Sequence, residues 1–202
     1  MTAIPPLPQP MWAGPVGLRL TAQTDIPEIL IAHQDDPQLH ARLGAERPPS
    51  GAELGRELEE AAQKRALGRG VTLTILEAPA NECRGQIYVH GIDWEQARAS
   101  VGIWVAPGAR GRGLARSALR LAGRWLFDAS GLERLALVTD PDNEATIKAA
   151  RSAGFVYEGL LRSYGLERGR RRDMVLLSLL PSDLEPAGGL MPAPATAQEP
   201  RP

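Results

Sequence analysis

Val101-Gly102-Ile103-Trp104-Val105 followed by Ala106-Pro107-Gly108-Ala109 and then Arg110-Gly111-Arg112-Gly113-Leu114-Ala115 is the stretch that decides the fold. Val101, Ile103 and Val105 recur at period two and share one face of a strand. Pro107-Gly108 ends that strand, because proline has no backbone donor and glycine admits a turn. Gly111 and Gly113 then let the main chain approach a ligand with no Cβ in the way. A helix expected to begin near Arg112 turns its unpaired N–H groups, and the positive end of its dipole, toward the same spot. With Arg110 and Arg112 beside it, the peptide is a cradle for an anion. A pyrophosphate there collects several backbone hydrogen bonds and one or two guanidinium contacts.

Spacing narrows the kind of cradle. A P-loop requires Gly-Lys-Ser/Thr after its second glycine, and Gly113 is followed by Leu114-Ala115. A dinucleotide fingerprint requires G-x-G-x-x-G inside an early βαβ unit, whereas these glycines fall at 108, 111 and 113 after strands that pattern as antiparallel. An ordinary glycine-rich strand-to-helix turn is the structural alternative.

Outward from this loop the periodicity is regular. Leu114, Ala118, Leu121 and Trp125 step by threes and fours and predict a helix over 112–127 with one face toward a core. A strand over 132–138, a helix over 143–153 closed by Gly154, and strands over 156–165 and 173–180 follow, the last two joined by a turn at Glu167-Arg168-Gly169-Arg170. Upstream, strands over 71–76, 85–89 and 100–105 form an antiparallel meander. Ser50 with Glu53 three residues on is a capping box opening a helix to about Leu67, ended by Gly68 and Gly70. Short amphipathic pieces over 27–32 and 37–43 precede it, and a first strand over 16–20 ends before Thr24-Asp25, a candidate helix cap. The order predicts a mixed α/β layer built on one central sheet.

Composition sets the outer limits. The 202 residues are 43% hydrophobic and 23% charged, the range of one soluble domain, and 23 Lys plus Arg against 24 Asp plus Glu give no global drive toward nucleic acid or an anionic membrane. Phosphate binding is therefore local. The single cysteine, Cys83, forms no intramolecular disulfide and lacks the spacing of a zinc site, as suits a reducing cytosol. Residues 1–10 carry four prolines and no basic start before a long apolar run, neither a signal peptide nor a membrane anchor, so a cytoplasmic product is expected. Residues 1–13 and 186–202, rich in Pro and Ala, are expected to be disordered tails around one domain at 14–185. A core of that size buries about 70% of its unfolded surface.

Arg110, Gly113 and Ala115 fill the fixed positions of Arg/Gln-x-x-Gly-x-Gly/Ala, and the loop resembles the coenzyme A signature of the GCN5-related N-acetyltransferases (GNAT). Asp142-Asn143-Glu144-Ala145-Thr146, then Ala153-Gly154-Phe155 and Glu158-Gly159, resemble the second half of the ribosomal-protein N-terminal acetyltransferase (RimJ/RimL-type) branch. Asp36-Pro37 and Gly169-Arg170-Arg171-Arg172-Asp173 fall in the family's order, so the resemblance spans nearly the whole core. It implies a mostly antiparallel sheet of about seven strands with helices on both faces and a V-shaped splay between the fourth and fifth.

The resemblance also implies chemistry. An amine attacks the thioester of acetyl-CoA directly in a ternary complex, with acetyl-CoA as co-substrate, no metal and no covalent enzyme intermediate. Val105 contacts the pantetheine arm through its main chain, Arg110, Gly111, Arg112, Gly113, Leu114 and Ala115 hold the phosphates, and Asn143 touches the cofactor arm. Thr146 and Tyr164 are candidate acids for the leaving thiolate. Their structural alternatives are a helix cap for Asn143, a backbone-bonded hydroxyl for Thr146 and a packed aromatic for Tyr164. Relatives often carry Glu just before the strand at 101–105, where this chain has Ser100; His90 and Asp93 are candidates to relay a proton through water instead. Arg168, Arg170, Arg171 and Arg172 read as a solvated turn or as a site for an acidic partner, and Trp94 and Trp104 as core or as acceptor-pocket walls. The expected acceptor is a peptide α-amine or a small-molecule amine, and the protein is expected as a monomer or homodimer. Loss of the base at Ser100 raises a second reading, a non-catalytic acyl-CoA-binding module; a nucleotide-binding regulator is a third.

Overall fold

The computed structural model describes residues 4–7, 10–167 and 169–184. Strands β1 (Met11–Ala13), β2 (Val16–Leu20), β3 (Gly70–Glu77), β4 (Glu82–Asp93), β5 (Arg98–Val105), β6 (Arg134–Thr139), β7 (Val156–Glu167) and β8 (Arg170–Leu179) form one sheet in the order β1-β2-β3-β4-β5-β6-β8-β7. The meander β3-β4-β5 is antiparallel as its short connections require, and among the described residues the only parallel contact is β5 with β6. A helix, α4 (Leu114–Ser130), crosses between those two strands, the kind of connection that parallel neighbours need.

Alternation along the strands splits the interior in two. Ile87 and Val89 of β4 face a large core with α4 and with Ala150 and Ala153 of α5 (Glu144–Ala153). The opposite face of the sheet packs a smaller core of Ile29, Ala32, Leu39, Leu54, Cys83 and Trp104, which brings in α1 (Ile26–Asp35), α2 (Leu39–Arg42) and α3 (Gly51–Ala66). Helices thus cover both faces. The capping box at the start of α3 is formed: Ser50 Oγ accepts from the Glu53 N–H at 3.3 Å, and Glu53 Oε2 accepts from the Ser50 N–H at 2.8 Å. Asp25, expected as a cap, holds the N-cap position of α1, but its buried side chain makes no cap bond to that helix and bonds Arg19, the Ala22 N–H and Thr74.

Three expectations change. Among the described residues the sheet has eight strands where about seven were expected, and the additional one, β1, lies in the segment assigned to a tail. Ile4, Leu7, Met11 and Trp12 are buried, because large apolar side chains stand between the prolines; the first three join the larger core, and the Trp12 ring lies against Gly17. Residues 1–3 and 8–9, the tail expected over 186–202, and Arg168 lie outside the described residues. Finally, α4 starts at Leu114 rather than near Arg112, because Gly113 is left-handed and breaks the helical run before it.

The feature that positions the site is the parting of β5 from β6. They pair only at Arg98 with Arg134, Ala99 with Leu135 and Ser100 with Ala136. Beyond Ser100 the strands separate, so residues 101–105 keep β4 on one side and leave main-chain groups on the β6 side without a ladder partner.

Candidate active site

After Val105 a 3-10 turn, Pro107–Ala109, carries the chain off the sheet. Arg110 is extended, Gly111 and Gly113 are left-handed with φ of 77° and 78°, and α4 follows. Glycine takes that conformation without the cost a Cβ imposes. The N–H of Ser117 reaches the Gly113 carbonyl at 3.1 Å, so the N–H groups of residues 114–116 precede the helical bonding and point out of its N-terminus. The space over the loop is open: a Cβ at either glycine meets no atom within 4 Å. Free amides, a helix N-terminus and unfilled space together fit a phosphate.

The loop's arginines have partners of their own. Arg110 Nε donates to the Val105 carbonyl at 3.0 Å, and its Nη2 donates to Asp36 Oδ2 at 2.6 Å. Asp36, 8% exposed, also accepts from Arg42 Nη1 at 3.0 Å and from the Gln38 N–H at 3.1 Å. Burial alone would raise the Asp36 carboxyl; the hydrogen bonds from Arg110 and Gln38 and the charges of Arg110 and Arg42 outweigh it and hold the group below the usual carboxylate range. One carboxylate between two guanidiniums leaves this corner net positive. Arg112 turns back to the Gly108 carbonyl and to Glu77, each at 3.2 Å, and clamps the loop to the end of β3.

A cleft of about 570 Å³ runs from α2, through the gap between β5 and β6 and past the loop, to α5. Arg42, Arg110, Arg116 and Lys148 line it, and among its described lining residues there is no Asp or Glu. Its field therefore favours an anionic ligand.

Of the residues singled out from the sequence, Val105, Arg110, Gly111, Gly113, Leu114, Ala115, Asn143 and Thr146 all line this cleft. Asn143 also caps α5: its Oδ1 accepts from the Thr146 N–H at 3.3 Å and its Nδ2 donates to Thr139 Oγ1 at 3.1 Å. Trp104 is buried and lines the cleft, whereas Trp94 donates to the Gly68 carbonyl at 2.9 Å and serves packing. Arg112 is not among the lining residues, being drawn to Glu77. Tyr164 is not brought to the cleft either and is 60% exposed. It sits on the outermost strand, where the register shifts between Leu161 and Gly165 and Ser163 has a φ of 54°, a local distortion that one-letter periodicity does not carry. His90 is exposed and Asp93 is paired with Arg98 at 3.1 Å, both outside the cleft. Ser100 holds the last β5–β6 pairing, at the crotch of the gap.

Arg172 pairs with Asp140 at 3.1 Å and Glu167 at 3.6 Å, so one member of the basic cluster serves to hold the β7–β8 hairpin against the end of β6.

The sequence reading passed over Tyr88, Arg42, Arg116 and Lys148, all in the cleft wall. For Tyr88 a signal was present: Gln86 and Tyr88 form a polar face on a strand whose two faces are both covered by helices.

Residues 16–156 match the acetyltransferase (GNAT) domain family. The uncharacterised N-acetyltransferase p20 of Bacillus licheniformis is 27% identical over 154 residues, 76% of this chain and 86% of that one. The putative ribosomal N-acetyltransferase YdaF of Bacillus subtilis (strain 168) is 30% identical over 101 residues, 50% of this chain and 55% of its own length. Among solved structures, spermidine N-acetyltransferase from Vibrio cholerae in complex with CoA and spermine superposes with a TM-score of 0.72 at 20% identity, covering 85% of this chain and 98% of that one. At that identity the likeness speaks for the fold.

Proposed function

Because the chain belongs to the acetyltransferase (GNAT) domain family, we propose that its cleft binds acetyl-CoA and passes the acetyl group to a primary amine. The observation that carries this reading is the parting of β5 from β6 directly before the glycine loop. An extended pantetheine arm can add to the free edge of 101–105 as a strand would, while the pyrophosphate meets the amides of the loop and the first turn of α4. Asp36 fixes Arg110, and Arg116 and Lys148 supply mobile positive charge for the phosphates.

In the transfer, the amine nitrogen attacks the thioester carbonyl carbon. The C–N bond forms, the C–S bond breaks, the thiolate takes up a proton, and the acetylated nitrogen loses one to water. A main-chain N–H of 101–105 polarises the carbonyl, as an oxyanion hole does. Thr146, in the cleft wall, is our candidate donor to the sulfur in place of Tyr164. Four cations and no carboxylate among the described lining residues favour an acceptor with a single amine, such as a peptide α-amine, over a polyamine.

Thiol release tests this. With acetyl-CoA and peptides beginning Ser, Ala or Met, free CoA should appear in proportion to acetylated product, with spermidine slower. The missing carboxylate also favours one alternative, an acyl-CoA-binding module without catalysis. Saturable acetyl-CoA binding with no thiol release for any amine would establish it.

A further inference from the structure

We propose that Tyr88 receives the acceptor amine and orients it toward the thioester, a role that rests on the transferase reading above. Tyr88 pairs across the sheet with Gly102, and a Cβ placed on Gly102 would lie 3.9 Å from its Cδ2, so the ring lies over that glycine. Gly102 is the second residue of β5 beyond the last pairing with β6. The ring is thus set at the edge of the gap, and Tyr88 lines the cleft there.

Its hydroxyl is held from two sides. It donates to Gln86 Oε1 at 2.7 Å and accepts from Trp104 Nε1 at 2.9 Å, an N–H shared with Gln86 Oε1 at 3.2 Å. Gln86 and Trp104 are 5% and 6% exposed. Gln86 is fixed in turn, its Nε2 donating to Thr21 Oγ1 at 3.3 Å. The Thr21 and Thr74 hydroxyls lie 3.0 Å apart, and Thr74 donates to Asp25 Oδ2 at 2.7 Å, which Arg19 anchors at 2.8 Å. A hydrogen-bonded chain therefore runs through the smaller core from Arg19 to the cleft and ends on one phenol.

A phenol oxygen has one hydrogen and two lone pairs. The hydrogen is committed to Gln86 and one lone pair to Trp104, which leaves one lone pair. Burial raises the Tyr88 phenol above its ordinary value, so it stays neutral and is not a base. What such an oxygen takes is an N–H. No carboxylate competes for that N–H among the described cleft residues; Glu57 shares only a second, small pocket with Tyr88 and Gln86. By accepting one N–H of a neutral amine, Tyr88 fixes the nitrogen and leaves its lone pair free for the carbonyl carbon. The hydroxyl keeps its own proton throughout, so the role is orientation.

Tyr88→Phe removes one oxygen, and Gln86→Leu keeps that oxygen but frees it to rotate. Both are measured for amine acetylation, for acetyl-CoA affinity and for the slow hydrolysis of acetyl-CoA with no amine present. The expected result for Tyr88→Phe is a fall of at least tenfold in kcat/KM for the amine, about 1.4 kcal/mol. The Kd for acetyl-CoA and the rate of hydrolysis should stay within about twofold of wild type. Gln86→Leu should show a smaller fall of the same kind, and it alone decides if Tyr88→Phe does not fold. Unchanged kcat/KM in a folded variant, or a matching loss of acetyl-CoA affinity and hydrolysis, overturns the assignment. A wild-type protein that binds acetyl-CoA but acetylates no amine overturns the transferase reading itself, an outcome read without either variant.

Discussion

Asp36 and Gly113 show two kinds of residue that build one loop. Asp36 reaches Arg110 across 74 positions of sequence, a pairing that no local pattern contains. The glycine was legible, because a left-handed turn into a helix N-terminus demands a residue without a Cβ, and the spacing showed where it had to stand. The arginines were half legible: their charge pointed to an anion, but Arg112 in fact serves Glu77, and Arg110 is shared between Asp36 and the Val105 carbonyl. Tyr164 lies outside the cleft for a related reason, on a strand whose register shifts between Leu161 and Gly165, which a local pattern does not contain. At this scale the sharpest prediction is Gly113→Glu. A carboxylate set where phosphate must approach should abolish acetyl-CoA binding by calorimetry. Open space around the site should keep the fold, with a cost of about 1–3 kcal/mol from the left-handed backbone. Binding at wild-type affinity would remove the loop from the donor site.

Elements were read through period and punctuation, and their interiors matched better than their ends. The capping box placed the start of α3, and Ser50→Ala should lower stability to urea by about 1 kcal/mol without changing acetyl-CoA affinity. The strand ends were less legible. β4 and β7 run on to Asp93 and Glu167, because pairing with neighbours continues past the apolar alternation. Glu158 shows what holds such an extension. Arg134 Nη1 donates to its Oε1 at 2.8 Å, Arg134 Nη2 bonds its other oxygen, and Ser178 Oγ donates to Oε1 at 2.6 Å, so one carboxylate ties β6, β7 and β8. Those hydrogen bonds, Arg134 first, lower its pKa from the ordinary 4.5 to about 2. A depressed carboxylate stabilises the fold above its unfolded value, and that contribution is lost as pH falls from 4.5 toward 2. Glu158→Gln should therefore be less stable than wild type at neutral pH in urea titrations, and the difference should shrink steadily below pH 4.5. A difference that stays constant down to pH 2 would detach the clamp from that charge.

At the scale of the whole molecule, the mixed sheet with a helical layer on each face was legible from the order of elements. The cleft was legible only in part. Its donor half is a contiguous peptide, whereas its other half is assembled from α2, β4 and α5, which meet only when the sheet forms. The larger core carries the fold independently of the cleft: Leu177→Ala, at 0% exposure, should cost about 2–5 kcal/mol in urea while leaving acetyl-CoA affinity intact in the cold, where the variant stays folded. The central claim, that the opening between β5 and β6 and the loop beyond it form the acetyl-CoA site, is open to hydrogen–deuterium exchange with and without that ligand. Protection concentrated over residues 101–105 and 110–117, and absent with ATP, is the predicted result. Unchanged exchange over both segments at saturating acetyl-CoA, or equal protection by ATP, would contradict it.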